Sequence, residues 1–124
     1  MAPGKRILIV DDEEEFLKLI KDNLEMRGLE VITATSGVEA GLELSKKPPN
    51  LILMDIKMPG INGLQACEAI KRNPATKDLP VIVVSALSDE SDIKKAYKAG
   101  VTDYFVKPVD IEKLVRRIKE VLAT

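Results

Sequence analysis

Five residues spread along the chain carry side chains suited to one kind of chemistry. They are Asp11 and Asp12 in "VDDEEEF", Asp55 in "LMDIKMPGING", Ser85 in "VVSA" and Lys107 in "DYFVKP". Each ends a short apolar run or follows one within two residues. Three carboxylates drawn into one cleft without a counterion would force at least one pKa upward, because mutual repulsion opposes ionisation. A bound divalent cation removes that conflict. With only oxygen donors in the set, Mg2+ is the expected ion and Mn2+ a tolerated substitute. Mg2+ keeps several waters and takes one or two carboxylates plus a phosphate oxygen, so such a site suits phosphoryl chemistry. A carboxylate can itself attack a phosphoryl group to form an aspartyl phosphate, and that transfer asks mainly for positioning and charge neutralisation. On this reading Asp55, alone at the end of its strand, is the acceptor. Asp11 and Asp12 hold the metal, Lys107 pairs with a phosphoryl oxygen, and the Ser85 hydroxyl donates to another.

Taken singly, each residue also has a plain structural reading. Asp12 could cap a helix, with Glu13, Glu14 and Glu15 complementing the positive end of its dipole, and for these three glutamates the dipole reading is preferred. Asp55 could end a strand before a "KMPG" turn, Ser85 could cap a helix starting near Ser88, and Lys107 could be a solvated loop residue. The chemical reading rests on convergence, and convergence depends on the elements that carry these residues.

Five short apolar runs recur: "RILIV" (6–10), "EVITA" (30–34), "LILM" (51–54), "VIVVS" (81–85) and "DYFV" (103–106). They are too short for helices and rich in aliphatic residues, so they read as strands, most of them buried on both faces. Amphipathic stretches alternate with them. Phe16, Leu17, Ile20 and Leu24 keep helical spacing and stop before Gly28, an expected C-terminal cap, and similar patterns run over 37–46, 63–72, 89–99 and 111–122. Strict alternation predicts an α/β domain, a doubly wound (βα)5 parallel sheet with helices on both faces. If the order is 2-1-3-4-5, strands one and three are neighbours. Asp11, Asp12 and Asp55 then meet beyond the carboxyl ends of the strands, where such sheets bind ligands.

The remaining composition narrows the options. At 124 residues the chain fits one domain, with a core from about 5 to 122. The 19 basic and 20 acidic residues nearly cancel, so no global field draws the protein to nucleic acid or to an anionic membrane. There is no histidine, which excludes His-based metal sites and His acid/base catalysis. The single Cys67 lies in a helical pattern, reads as core packing and suits a reducing compartment. The opening "MAPGKR" lacks the apolar stretch of a secretory signal and no apolar run approaches a membrane span, so a cytoplasmic location is expected.

Together these motifs, in this order and spacing, resemble the receiver domain of bacterial two-component response regulators, over about residues 5–122. The resemblance implies a flavodoxin-like fold and a signalling phosphoacceptor rather than an enzyme acting on other substrates. Asp55 would take its phosphoryl group from the phosphohistidine of a sensor histidine kinase or a histidine phosphotransfer protein, and the domain would slowly dephosphorylate itself. It further implies that the backbone carbonyl of Lys57 completes the metal shell and that the Lys107–Pro108 peptide is cis. Ser85 and Tyr104 match the family's switch pair, which alters the face made by helix four, strand five and helix five and so changes binding of a downstream protein or effector domain. A monomer or a phosphorylation-induced dimer is expected. The Lys57 side chain, beside the acceptor, is expected to alter the lifetime of the phosphorylated state.

Three rivals stand against this reading. A flavodoxin-like electron carrier would need a Ser/Thr/Gly-rich phosphate loop where this chain has "DDEEE". A Mg2+-dependent phosphohydrolase working through an aspartyl phosphate would need a cap domain or a substrate-sized insertion. A phosphorylation-independent interaction module would keep the fold but has no need of all five residues. No DNA-binding or effector segment follows helix five, so the expectation is a stand-alone regulator or a receiver belonging to a larger protein.

Overall fold

The structure, a computed structural model, describes residues 4–58 and 61–123, with the backbone alone at Ile61. Five strands form one parallel sheet: β1 (Arg6–Val10), β2 (Glu30–Ala34), β3 (Leu51–Met54), β6 (Val81–Ser85) and β7 (Asp103–Val106). Two further strands, β4 (Lys57–Met58) and β5 (Ile61–Asn62), pair antiparallel as a small separate ladder directly after β3. The helices are α1 (Glu14–Glu25), α2 (Gly37–Lys46), α3 (Gly63–Arg72), α4 (Glu90–Lys98) and α5 (Ile111–Leu122).

The sheet order is β2-β1-β3-β6-β7, which is 2-1-3-4-5 when its five strands are counted along the chain. The expected strand limits are those observed. The turn expected at "KMPG" carries β4, while its Pro59 and Gly60 lie outside the described residues. Helix α4 begins at Glu90 with Asp89 at its N-cap, so Ser85 does not cap it.

Successive strand residues point to opposite faces, and the core divides accordingly. Ile7, Ile9, Leu51, Leu53, Ile82 and Val84 face Leu17, Ile20 and Leu24 of α1 and Leu114, Val115 and Ile118 of α5. Leu8, Val10, Ile52, Met54, Val81 and Val83 face Ala40 of α2, Cys67 and Ile70 of α3, and Ala96 of α4. The central strands β1, β3 and β6 are therefore apolar on both faces, as a sheet covered by helices on each side requires. The edge strands β2 and β7 are only partly buried, and Tyr104 on β7 is half-buried. Helix α1 ends at Glu25 with Met26 at its C-cap, and two residues on, Gly28, at φ 85°, takes the left-handed conformation that a glycine adopts without strain.

The chain leaves β1 toward one side to build β2 and returns to the other side to build β3. The reversal opens a crevice between the carboxyl ends of β1 and β3, with β6 and β7 ending nearby.

Candidate functional site

Backbone bonds at the carboxyl edge of the sheet fix the three most constrained site residues. The Asp11 N–H donates to the Ala34 carbonyl at 3.0 Å, the Asp55 N–H to the Val10 carbonyl at 2.9 Å, and the Lys107 N–H to the Ser85 carbonyl at 2.8 Å. Each is the first residue beyond its strand and is still held by the neighbouring strand, so its side chain turns into the crevice from a rigid base.

There the Lys107 ammonium donates to Asp11 Oδ2 at 2.7 Å, to Glu13 Oε1 at 2.6 Å and to Asp55 Oδ2 at 3.3 Å. It also lies 4.5 Å from the centroid of the Phe16 ring, within cation–π range. Asp11 and Asp55 are 1% and 5% exposed, while Asp12 stands at the solvent edge. Oxygens of Asp11, Asp12 and Asp55 all lie within 4.8 Å of one another. Two oxygens on opposite sides of one Mg2+ sit about 4.2 Å apart, twice the usual bond length, so small side-chain adjustments would gather this set around a single ion. The donors are all hard oxygens, which fits Mg2+ or Mn2+ and not a soft thiophilic metal.

The opposite charges balance unevenly. Burial raises the Asp11 pKa above its ordinary value, even though Lys107 and the Glu13 N–H work in the other direction. Burial also disfavours the Lys107 ammonium, but hydrogen bonds to Asp11 and Glu13 and the nearby Asp55 charge outweigh it, and its pKa is raised. The two directions agree physically: one cation gains from every carboxylate around it, while each carboxylate receives only a share of that cation. The deficit of positive charge is what a divalent ion would fill.

Asp55 has a second anchor, since its Oδ1 accepts the Lys57 N–H at 2.8 Å. That bond turns the chain into the β4/β5 ladder, whose Asn62 then caps α3 by accepting the Gln65 N–H at 3.1 Å. Gly63 opens α3 against the same segment: a Cβ there would lie 2.3 Å from Ile56 Cα. The acceptor's loop is thus wedged between a strand end and a helix start.

Ser85 is fully buried at the end of β6, and its Oγ accepts the Leu87 N–H at 3.2 Å. The Tyr104 hydroxyl donates to the carbonyl of the same Leu87 at 2.6 Å, so a single residue links the two members of the expected switch pair. The Lys107–Pro108 peptide is cis. Beside the ammonium a cleft of about 470 Å3 opens to solvent, walled by Phe16, Leu19, Pro108, Val109 and Ile111.

The structure removes one alternative, the reading of Asp12 as a cap, and corrects one expectation, for Glu13. Asp12 does not cap α1, because the N-cap position is Glu13. Nor does Glu13 serve only the helix dipole, since its carboxylate is bonded to Lys107; Glu14 and Glu15 alone occupy the first turn. An N-cap side chain stays at the mouth of its helix, and that position was the one available hint.

Comparison with known proteins decides the family. The model of the response regulator receiver domain matches residues 7–119. The chain belongs to that family. This receiver is 38% identical over 118 residues to the protein PilH of Pseudomonas aeruginosa, covering 95% of this chain and 98% of PilH. It is 36% identical over 117 residues to the phosphate regulon transcriptional regulatory protein PhoB of Rhizobium meliloti, covering 94% of this chain but only 52% of PhoB. The receiver thus spans about half the length of PhoB and nearly all of PilH. Among solved structures, the Mn2+-bound form of response regulator Rcp1 superposes with a TM-score of 0.82 at 28% identity, over 95% of this chain and 91% of that one. Among the described residues of this receiver, no helix is long and apolar enough to cross a membrane.

Proposed function

We propose that this receiver is the phosphoacceptor of a two-component system and that Asp55 is the residue modified. The observation that carries the reading is the Lys107 ammonium suspended between two buried carboxylates, Asp11 and Asp55, at the carboxyl edge of the sheet. Asp11, Asp12 and Asp55, with the backbone carbonyl of Lys57, would hold Mg2+; when bound, the ion neutralises the acids and draws charge from the phosphoryl oxygens. Rcp1 has been crystallised with Mn2+, which supports a divalent ion in this class of site.

Asp55 Oδ2 attacks the phosphorus of a phosphohistidine on a sensor kinase or a histidine phosphotransfer protein. A P–O bond forms, the P–N bond breaks, and the electron pair leaves with the donor imidazole, which takes up a proton. The bond from Lys107 to Oδ2 and the bond from the Lys57 N–H to Oδ1 hold the Asp55 carboxylate in a fixed orientation for that attack. Lys107 then shifts to a phosphoryl oxygen and the Ser85 hydroxyl donates to another. The cleft beside Lys107 leaves room for the donor ring. Attack by water on the aspartyl phosphate releases phosphate and restores Asp55, so the only catalysis is the domain's own phosphorylation and its reversal.

The new charge biases a two-state switch. Drawing the Ser85 hydroxyl toward the phosphoryl group strains its bond from Leu87 and, through Leu87, the anchor of Tyr104. Moving an equilibrium from 1:99 to 99:1 takes roughly 5.5 kcal/mol. Bonds to charged groups supply about 1.5 to 3 kcal/mol each, so a new Ser85 bond supplies part of that requirement, and Lys107 adds only its gain over the carboxylate contact it exchanges. The face of α4, β7 and α5 carries the change to a downstream protein or effector domain in the cytoplasm. Intact-mass analysis after incubation with acetyl phosphate tests the reading. One phosphoryl group should be gained only with Mg2+ and only when Asp55 is present; gain by Asp55→Asn would refute the assignment.

A further inference from the structure

The ammonium of Lys107 has three N–H bonds and, in this structure, three carboxylate partners. It is therefore saturated before any phosphoryl group arrives. To bind a phosphoryl oxygen it must give up a partner or share one. The three are unequal: Asp11 and Asp55 are almost fully buried, whereas the Glu13 side chain is 61% exposed. Glu13 also makes the shortest of the three contacts, and Asp55 the longest. Its backbone is tied to the site, because its N–H donates to Asp11 Oδ1 at 2.9 Å, so the carboxylate sits on a fixed hinge at the mouth of α1.

We propose that Glu13 is a latch on Lys107: it holds the lysine toward α1 in the unmodified protein and competes with the phosphoryl group for it. The inference rests on the phosphoacceptor reading above. Phosphorylation consumes the Asp55 Oδ2 contact, the longest of the three, and as Lys107 follows the phosphoryl oxygen away from α1 it is Glu13 rather than Asp11 that yields, because the exposed Glu13 carboxylate regains water when freed whereas Asp11 is buried. The latch opposes the phosphorylated state and so sets how strongly the domain responds to a given supply of donor. Glu13 touches no reacting atom, which makes it a positioning residue acting through Lys107.

Beryllium fluoride, a tetrahedral mimic of a carboxyl-bound phosphoryl group, tests the competition by calorimetric titration at saturating Mg2+. Wild type, Glu13→Gln and Glu13→Asp are compared. Aspartate keeps the negative charge but is about 1.5 Å shorter, too short to hold the ammonium. Competition predicts that both variants bind the complex about twofold to fivefold more tightly, the range for an ion pair with an exposed partner. Tighter binding by Glu13→Gln alone would overturn the latch in favour of simple charge repulsion, and equal or weaker binding by both would overturn it outright. Failure of the wild type to bind the complex at all would remove the phosphoacceptor reading, and the latch with it.

Discussion

Replacing Gly63 with alanine tests how the acceptor loop is held. The added Cβ would fall 2.3 Å from Ile56 Cα, 2.5 Å from its Cβ and 2.7 Å from its carbonyl oxygen, where ordinary contact begins at 3.4 Å. The closest of these is a backbone atom, so no rotamer change relieves it, and α3 and the loop must separate by about 1 Å. Overpacking of this kind costs about 1 to 3 kcal/mol. For a domain of this size that lowers Tm by about 4 to 12 °C. The functional effect should be larger. Ile56 lies between Asp55 and Lys57, whose 2.8 Å bond orients the acceptor carboxylate. A displacement of about 1 Å breaks such a bond, and misplacement on that scale costs about 100-fold in rate. The assay follows phosphorylation by acetyl phosphate at saturating Mg2+ using intact mass, with circular dichroism to report folding. Gly41→Ala in α2 is the control, because a Cβ there meets nothing within 4 Å; it should be neutral or slightly stabilising. A Gly63→Ala protein with unchanged Tm and unchanged rate would refute the wedge.

Three further predictions follow from the same contacts. Lys107→Met should destabilise the metal-free protein by about 1 to 3 kcal/mol, less than the 3 to 5 of a fully buried broken pair because Asp11 can take up a proton, and added Mg2+ should narrow the loss. The Lys107 pKa is raised above its unfolded value near 10.4, so its contribution is complete below about pH 10.4 and is lost as pH rises through the folded value. The stability gap between wild type and Lys107→Met should therefore stay level from about pH 7 to about pH 9 in chemical denaturation. Cys67 is fully buried and its thiol pKa is pushed up to about 11 by that burial, so a thiol reagent near neutral pH should label it only after unfolding; rapid labelling of the native protein would contradict the packing. Ser85→Ala should still accept a phosphoryl group but show smaller phosphorylation-dependent shifts in amide NMR spectra, and undiminished shifts would remove Ser85 from the switch.

Strand limits were legible because β1, β3 and β6 each carry four apolar residues in a row bounded by a polar residue or proline, too short for a helix and suited to a sheet covered on both faces. The site was legible for a related reason: Asp11, Asp55 and Lys107 each directly follow a strand, so strand order brings them together. What stayed hidden depends on reach and on backbone proximity. Glu13 meets Lys107 across 94 residues of sequence through side chains whose rotamers no periodicity encodes. The β4/β5 ladder has two residues per strand, too few for an alternating pattern to register. The contact of Gly63 with Ile56 is an absence of atoms, visible only when both backbones are in place.

The most direct measurement of the central claim is chemical. Borohydride reduces the acyl phosphate of a modified aspartate to the alcohol of homoserine and leaves free carboxylates untouched. After incubation with acetyl phosphate and Mg2+, reduction and peptide mapping should find homoserine at position 55 and nowhere else. Homoserine at position 11 or 12, or phosphate retained on the Ser85 hydroxyl, would contradict the assignment of Asp55 as the acceptor.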